Sequence, residues 1–220
     1  SLLHAWNPGQ KLWEYTTDGL IKSSPAIVNG RLYIGGKDGR LLCLHAQTGQ
    51  KIWEYRTGYS IWSSPVVASG RVYFGSSDRS VYCVDAGTGK KIWSFKTGSA
   101  VFASPRVEKG RVFVGSFDHK LYCLNGQTGD KIWEYDTGEY IWSSPAVADD
   151  KVYFGSDDFR FYCLDAGTGK KLWDFKTGSF VRTSPAVSEG KVFFGSKDHK
   201  VYCLDARTGD KVWEFESGGW

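Results

Sequence analysis

The sequence predicts an all-β protein, a β-propeller built from four-stranded antiparallel blades of about 40 residues each. Three observations carry that expectation. Trp recurs at positions 13, 53, 93, 133, 173 and 213, a fixed period of 40. Each period holds four short β-rich runs separated by turn clusters, and no run suits a helix. The runs are apolar on both faces, with Val72 and Phe74 opposing Tyr73, and Val81 and Cys83 opposing Tyr82 and Val84, which describes strands covered on two sides. Small sheets of this kind, repeated at this spacing, stack radially. A two-layer sandwich would show a polar outer face, and a β-solenoid would need shorter, parallel rungs.

The chain divides into an N-terminal half blade, residues 1–19, and five full blades, 20–59, 60–99, 100–139, 140–179 and 180–220, as one repeat domain. Blades two and four agree at 28 of 40 positions, comparing 60–99 with 140–179, so one supersecondary unit is reused. In blade two the predicted strands are 61–68, 71–75, 81–85 and 91–96, broken at Ser69-Gly70, Ser77-Asp78 and Gly87-Thr88-Gly89. Strand one contains the Ser-Pro pair that recurs at 24–25, 64–65, 104–105, 144–145 and 184–185, and Pro is tolerated where a strand begins. The turn between strands two and three carries Asp38, Asp78, Asp118, Asp158 and Asp198, whose carboxylates suit backbone N–H groups better than calcium. Strand three carries Cys43, Cys83, Cys123, Cys163 and Cys203, one blade apart and too distant for disulfides, so they read as small buried hydrophobes. Strand four is charged, as at Lys51 and Glu54, and guards the outer edge.

Residues 1–13 align with Leu41 to Trp53 and supply strands three and four of a blade that lacks its first two. The C-terminal unit already has its own fourth strand. Two arrangements therefore stand equally: five blades close into a ring and leave the N-terminal hairpin surplus, or an open edge pairs with a second chain to make a homodimer.

The segment Asp85-Ala86-Gly87-Thr88-Gly89-Lys90-Lys91-Ile92-Trp93, with its counterparts Asp165 to Trp173 and Asp205 to Trp213, resembles the repeat signature of pyrroloquinoline-quinone-like propellers. The resemblance covers nearly the whole chain. It implies that Trp53, Trp93, Trp133 and Trp173 each dock on the Thr-Gly turn of the neighbouring blade. The family includes calcium-dependent quinone dehydrogenases of eight blades and a non-enzymatic lipoprotein scaffold of the outer-membrane protein assembly machine, so the resemblance speaks for fold more than for activity. The chain departs from the enzymes: it has five full units, no adjacent Cys pair and no long inserted loops to bring metal ligands together.

With 28 Lys and Arg against 24 Asp and Glu, the net charge of +4 is too mild to argue for nucleic acid or an anionic membrane. No stretch is long and apolar enough for a transmembrane helix, and no signal peptide is evident. The Ser start and the lack of Met read as a processed or trimmed chain. Five unpaired thiols favour a reducing compartment while the family resemblance favours the periplasm or the exterior, so localisation stays open. His4, His45, His119 and His199 sit at no position that would build a nucleophile constellation, and no phosphate-binding loop is present. Neither catalysis nor a cofactor or metal is expected.

Where the units differ, the scaffold does not dictate the residue. One such column precedes the Ser-Pro pair: Lys22, Trp62, Phe102, Trp142 and Arg182. A second lies in the turn between strands two and three, including Lys37, Arg79, Phe117, His119, Phe159 and Lys197. In a four-stranded meander both emerge on one face. That face is expected to bind a protein or peptide, with Trp62, Trp142 and Phe102 as apolar anchors and with Lys22 and Arg182 adding preference for carboxylate or phosphate. The bland alternative has these side chains merely plugging the channel. Single-stranded nucleic acid is disfavoured because Asp residues sit in the same turns. The remaining alternatives are a fragment of a quinone-dependent oxidoreductase with its cofactor near Trp62 or Trp142, and an amplified or engineered repeat with no selected ligand.

Overall fold

The computed structural model describes residues 10–218. They form five four-stranded antiparallel sheets, each a meander whose strands pair in chain order. Blade two shows the pattern, with strands Val66–Ala68, Arg71–Ser76, Ser80–Asp85 and Lys91–Lys96. The first strands of successive blades lie beside one another, so strand one is innermost and strand four outermost. The propeller architecture and the five full blades follow the sequence expectation.

Strand one is shorter than predicted: only 66–68 of the expected 61–68 joins the ladder, and the other blades likewise pair three residues. A side chain takes over where the backbone stops. Ser63 Oγ donates to the Gly75 carbonyl at 2.9 Å and accepts from the Gly75 N–H at 2.7 Å. Pro65, which has no N–H, follows two residues later. Ser23 serves Gly35 in the same way, and Thr183 serves Gly195.

Between blades lie four apolar clusters; the joint of blades three and four holds Phe113, Leu121, Cys123, Ile141, Phe154 and Leu164, each at most 1% exposed. Close approach depends on glycine. A Cβ built on Gly75 would fall 2.3 Å from Cγ1 of Val101, and one on Gly115 would fall as close to Ile141. The implied tryptophan docking is present at every joint. Trp53, Trp93, Trp133 and Trp173 lie against Gly89, Gly129, Gly169 and Gly209 of the following blade. Their indole Nε1 groups donate to the carbonyls of Ala86, Gly126, Ala166 and Ala206 at 3.1–3.4 Å. The Ala86 carbonyl also accepts from Arg31 and from the Tyr33 hydroxyl. All five cysteines are buried and free, and each stands directly across from its blade's Trp, as Cys83 does from Trp93. A β-bulge follows that pair in every blade.

The turn aspartates also tie blades together. Asp78 accepts from the Tyr82 hydroxyl at 2.8 Å and from the N–H of Gly58, in the link from the preceding blade, at 2.8 Å. Asp118 and Asp198 repeat both bonds. Nearest the axis runs a relay in which the N–H groups of Ser24, Ser64, Ser104 and Ser144 donate to the hydroxyls of Ser64, Ser104, Ser144 and Ser184 at 2.8, 2.8, 2.9 and 3.2 Å.

The five blades do not close. Among the described residues no strand of blade one touches a strand of blade five, so the blades trace an arc, and the closed five-blade ring is corrected. Four joints link the five blades, and because each turns the chain by less than a fifth of a circle the last blade stops short of the first. Blade five consequently has an uncovered outer face, with Trp213 43% and Phe215 63% exposed where Trp93 is 7% exposed. That overturns, for this blade, the expectation of strands covered on both sides. Residues 1–9 of the expected half blade lie outside the described residues. Residues 10–19 form no strand, but Trp13 docks on Gly49 and donates to the Ala46 carbonyl at 3.0 Å, as the other docking tryptophans do. No helix of the described residues is long and apolar enough to cross a membrane.

Candidate binding site at the channel mouth

The turn between strands two and three and the link leading into the next strand one emerge at the same end of the arc. Their side chains meet there. Trp62 stands edge-on to Phe102, with ring centroids 5.5 Å apart, and Phe102 lies nearly parallel to Trp142 at 5.1 Å. Phe117 packs edge-on against both, at 4.6 Å from Phe102 and 4.4 Å from Trp142. Tyr140 stacks on Phe117 at 4.8 Å and His119 meets Tyr140 at 5.3 Å. The three aromatic candidates thus belong to one continuous cluster spanning blades two to four. Trp62, Phe102 and Trp142 are half-buried, and the indole Nε1 of Trp142 is buried with no hydrogen-bond partner among the described residues.

The basic candidates divide. The Arg182 guanidinium stands 5.2 Å from the Trp142 ring and 4.8 Å from that of Phe180. It forks onto Asp157, donating from Nε and Nη2 at 2.9 and 2.7 Å to a carboxylate only 5% exposed. This pairing raises the pKa of Arg182 above the ordinary guanidinium range. Two of its five N–H donors are thereby committed to Asp157. Lys22 is exposed and makes no cation–π contact among the described residues. Lys37 does instead, with its ammonium 5.1 Å over Trp62.

In the sequence Phe117 and Lys37 stood in a variable turn without being assigned to the site, Asp157 stood out only beside Asp158 as the carboxylate pair nearest to a calcium loop, and Tyr140 carried no expectation. A signal existed for Tyr140: the column Leu20, Ser60, Ala100, Tyr140 and Phe180 varies as much as the column two residues later. Asp157 stands at the position of Lys37, Ser77, Phe117 and Lys197, so one turn position supplies a cation, an aromatic or an anion in different blades.

Among the described residues no three His, Cys, Asp or Glu side chains stand together as metal ligands. A flat quinone does not fit at Trp142 either. The ring is already engaged by Phe102 in parallel, by Phe117 at its edge and by the Arg182 guanidinium.

A family model described as outer membrane protein assembly factor BamB matches residues 1–64, 57–144 and 136–219. The chain belongs to the BamB family. The pyrroloquinoline-quinone type of repeat read from the sequence is thereby shown, in the branch that carries the BamB description. The solved structure of BamB from Moraxella catarrhalis superimposes with a TM-score of 0.82 at 22% identity, covering 93% of this chain and 64% of that one. The chain therefore spans a little under two thirds of that BamB. The computationally designed protein Ika8 is similar, with a TM-score of 0.81 at 22% identity, covering 89% of this chain and 62% of that one. A quinohemoprotein alcohol dehydrogenase from Pseudomonas putida HK5 gives a TM-score of 0.78 at 18% identity, covering 93% and 43%. At such identities the likeness speaks for the fold. No curated protein matches the chain.

Proposed function

We propose that this BamB-family propeller is a non-enzymatic binding platform whose channel-mouth face takes a protein or peptide partner. The observation that carries the reading is the cluster of Trp62, Phe102, Phe117, Trp142 and Tyr140, which the described chain leaves only half covered. Aromatic side chains held rigid by one another present large area at low entropic cost, as interface anchors do. The family description, an outer membrane protein assembly factor, supports a protein as the partner. The oxidoreductase reading rests on likeness to dehydrogenases at 18% identity and finds no room for a flat cofactor at Trp142.

The test uses an array of 15-residue peptides probed with the wild type and with the Trp62→Ala/Trp142→Ala variant. The wild type retains a set rich in aromatic and aliphatic residues. The double variant loses that set while its far-ultraviolet circular dichroism stays that of the wild type. Retention of the same peptides by a folded double variant sinks the reading. Addition of pyrroloquinoline quinone and calcium gives no dye-linked alcohol oxidation; activity under those conditions restores the enzyme reading.

A further inference from the structure

Beside the aromatic cluster, between blades four and five, lies a cleft of about 480 Å³. Its walls are Tyr140, Phe159 and Phe180, exposed by 43, 38 and 37%, and its charged groups are Glu139, Asp157 and Arg182. Asp158, also on the lining, is held by the Tyr162 hydroxyl and the Arg160 N–H. Three carboxylates against one guanidinium leave the lining at −2 (−3 from Glu139, Asp157 and Asp158, +1 from Arg182), in a chain of net charge +4. Asp157 is spent on Arg182 and Asp158 on Tyr162. Glu139 is exposed and carries no ion pair among the described residues.

The other joints do not build this cleft. Relative to blade two, whose sequence is otherwise so close, blade four has Tyr140 for Ser60, Asp157 for Ser77 and Phe159 for Arg79, and the residue just ahead of it is Glu139 where Tyr59 precedes blade two. The next link has Phe180 where blade three has Ala100. At the joint of blades three and four the same space is filled, because Phe117 stands at the position of Asp157 and packs on Tyr140 and Trp142. Phe159 is held at a φ of 68°, in a left-handed turn that every blade shares through Gly39, Arg79, His119 and His199. A bulky residue in the left-handed region costs stability and is uncommon. Its ring meets Phe180 edge-on at 5.2 Å.

We propose that this cleft receives a basic side chain, arginine above all, from the partner that the channel-mouth face binds. Aromatic walls beside an uncommitted carboxylate suit a cation that both stacks and ion-pairs. The molecule already shows the mode, since its own Arg182 sits on Phe180 while forked onto Asp157. An incoming guanidinium would use the open faces of Tyr140 and Phe159 and the carboxylate of Glu139. The inference rests on the protein-binding reading, whose anchors are Trp62 and Trp142, and its test leaves both of those in place.

The probe is an acetylated, amidated peptide bearing one Arg between glycines, with its citrulline counterpart as the neutral match in shape. Each is titrated into the full chain labelled with ¹⁵N and followed by amide chemical shifts. The expected result is saturable shifts at Glu139, Tyr140, Phe159 and Phe180 with the Arg peptide in the millimolar range, weakening with salt and absent with citrulline. Glu139→Gln, an exposed change, should weaken binding severalfold with the rest of the spectrum unmoved, and Phe159→Ala should do the same. Equal shifts from the two peptides, shifts centred elsewhere, or undiminished affinity in a folded Glu139→Gln protein would overturn the proposal. Arg-peptide binding here alongside peptide-array binding that ignores the Trp62/Trp142 change would uphold the cleft and sink only the wider reading.

Discussion

Trp93 of blade two donates its indole N–H to the Gly126 carbonyl of blade three at 3.1 Å, and the Tyr73 hydroxyl reaches the same oxygen at 3.0 Å. Arg71 supplies a third donor at 2.8 Å. One backbone oxygen thus gathers three side chains of the neighbouring blade, and the indole that leads them is 7% exposed.

Trp93→Ala therefore leaves a cavity at a joint and strips a buried acceptor of one donor. The expected cost is about 3–5 kcal/mol in urea unfolding. Trp213 occupies the same repeat position on the uncovered face and is 43% exposed. Its change to Ala should cost about 1 kcal/mol or less, and equal costs for the two would show that docking does not hold the joint.

Gly129 is fixed from two sides. Its φ is +81°, and a Cβ there would lie 2.7 Å from Cδ2 of the Trp93 indole. Gly110, at a φ of +74°, has nothing within 4 Å. Gly110→Ala should cost only the left-handed penalty of about 1–2 kcal/mol. Gly129→Ala adds displacement of the indole and should cost clearly more, as thermal unfolding of the pair will report.

The five cysteines should be silent in the folded chain. Burial, tempered by nearby Arg71, pushes the Cys83 thiol up to about 11. Burial likewise pushes Cys123 and Cys163 up to about 12. At pH 8 they are neutral as well as covered, so iodoacetamide should leave the native mass unchanged and add five groups after denaturation. Rapid labelling of Cys123 in native buffer would contradict the packed joint.

The Tyr–Asp pairs make the fold sensitive to alkali. Burial, then the hydrogen bond to Asp118, raises the Tyr122 pKa above its ordinary value of 10.0, and Tyr82, Tyr162 and Tyr202 shift the same way with their own aspartates. A pKa raised by folding gives stability that is complete below the unfolded value and lost as pH climbs past it. Unfolding free energy should hold its tyrosine contribution to about pH 9 and fall above about pH 10. Tyr122→Phe should cost about 1 kcal/mol at neutral pH and make the alkaline slope shallower; an unchanged slope would remove the pair from the account.

Most of the architecture could be read from the chain because it is written five times. Alternation, the Thr-Gly turns and the spacing of Trp each point to the same unit, and repetition averages away local ambiguity. The failures lie where one residue's role depends on its neighbours. Strand one ended early because Ser63 satisfies Gly75 with its side chain, which no propensity registers. Closure was illegible because it depends on the sum of four joint angles, and no single residue encodes that sum. At the channel mouth the members of the aromatic cluster were visible as departures from the repeat. The fate of Arg182 was not, since it turns on Asp157, which lies 25 residues away in sequence.

The serine relay also has a mechanical side. Hydrogen bonds from Ser24 to Ser184 run in series along the inner rim, with no tie among the described residues between the first blade and the fifth. Joints in series add their compliance, so a small rotation shared by all four moves the end blades far while neighbouring blades barely part. The span between the ends is therefore the softest dimension of the arc, and a guest seated across several blades would set that span as a gauge sets a caliper.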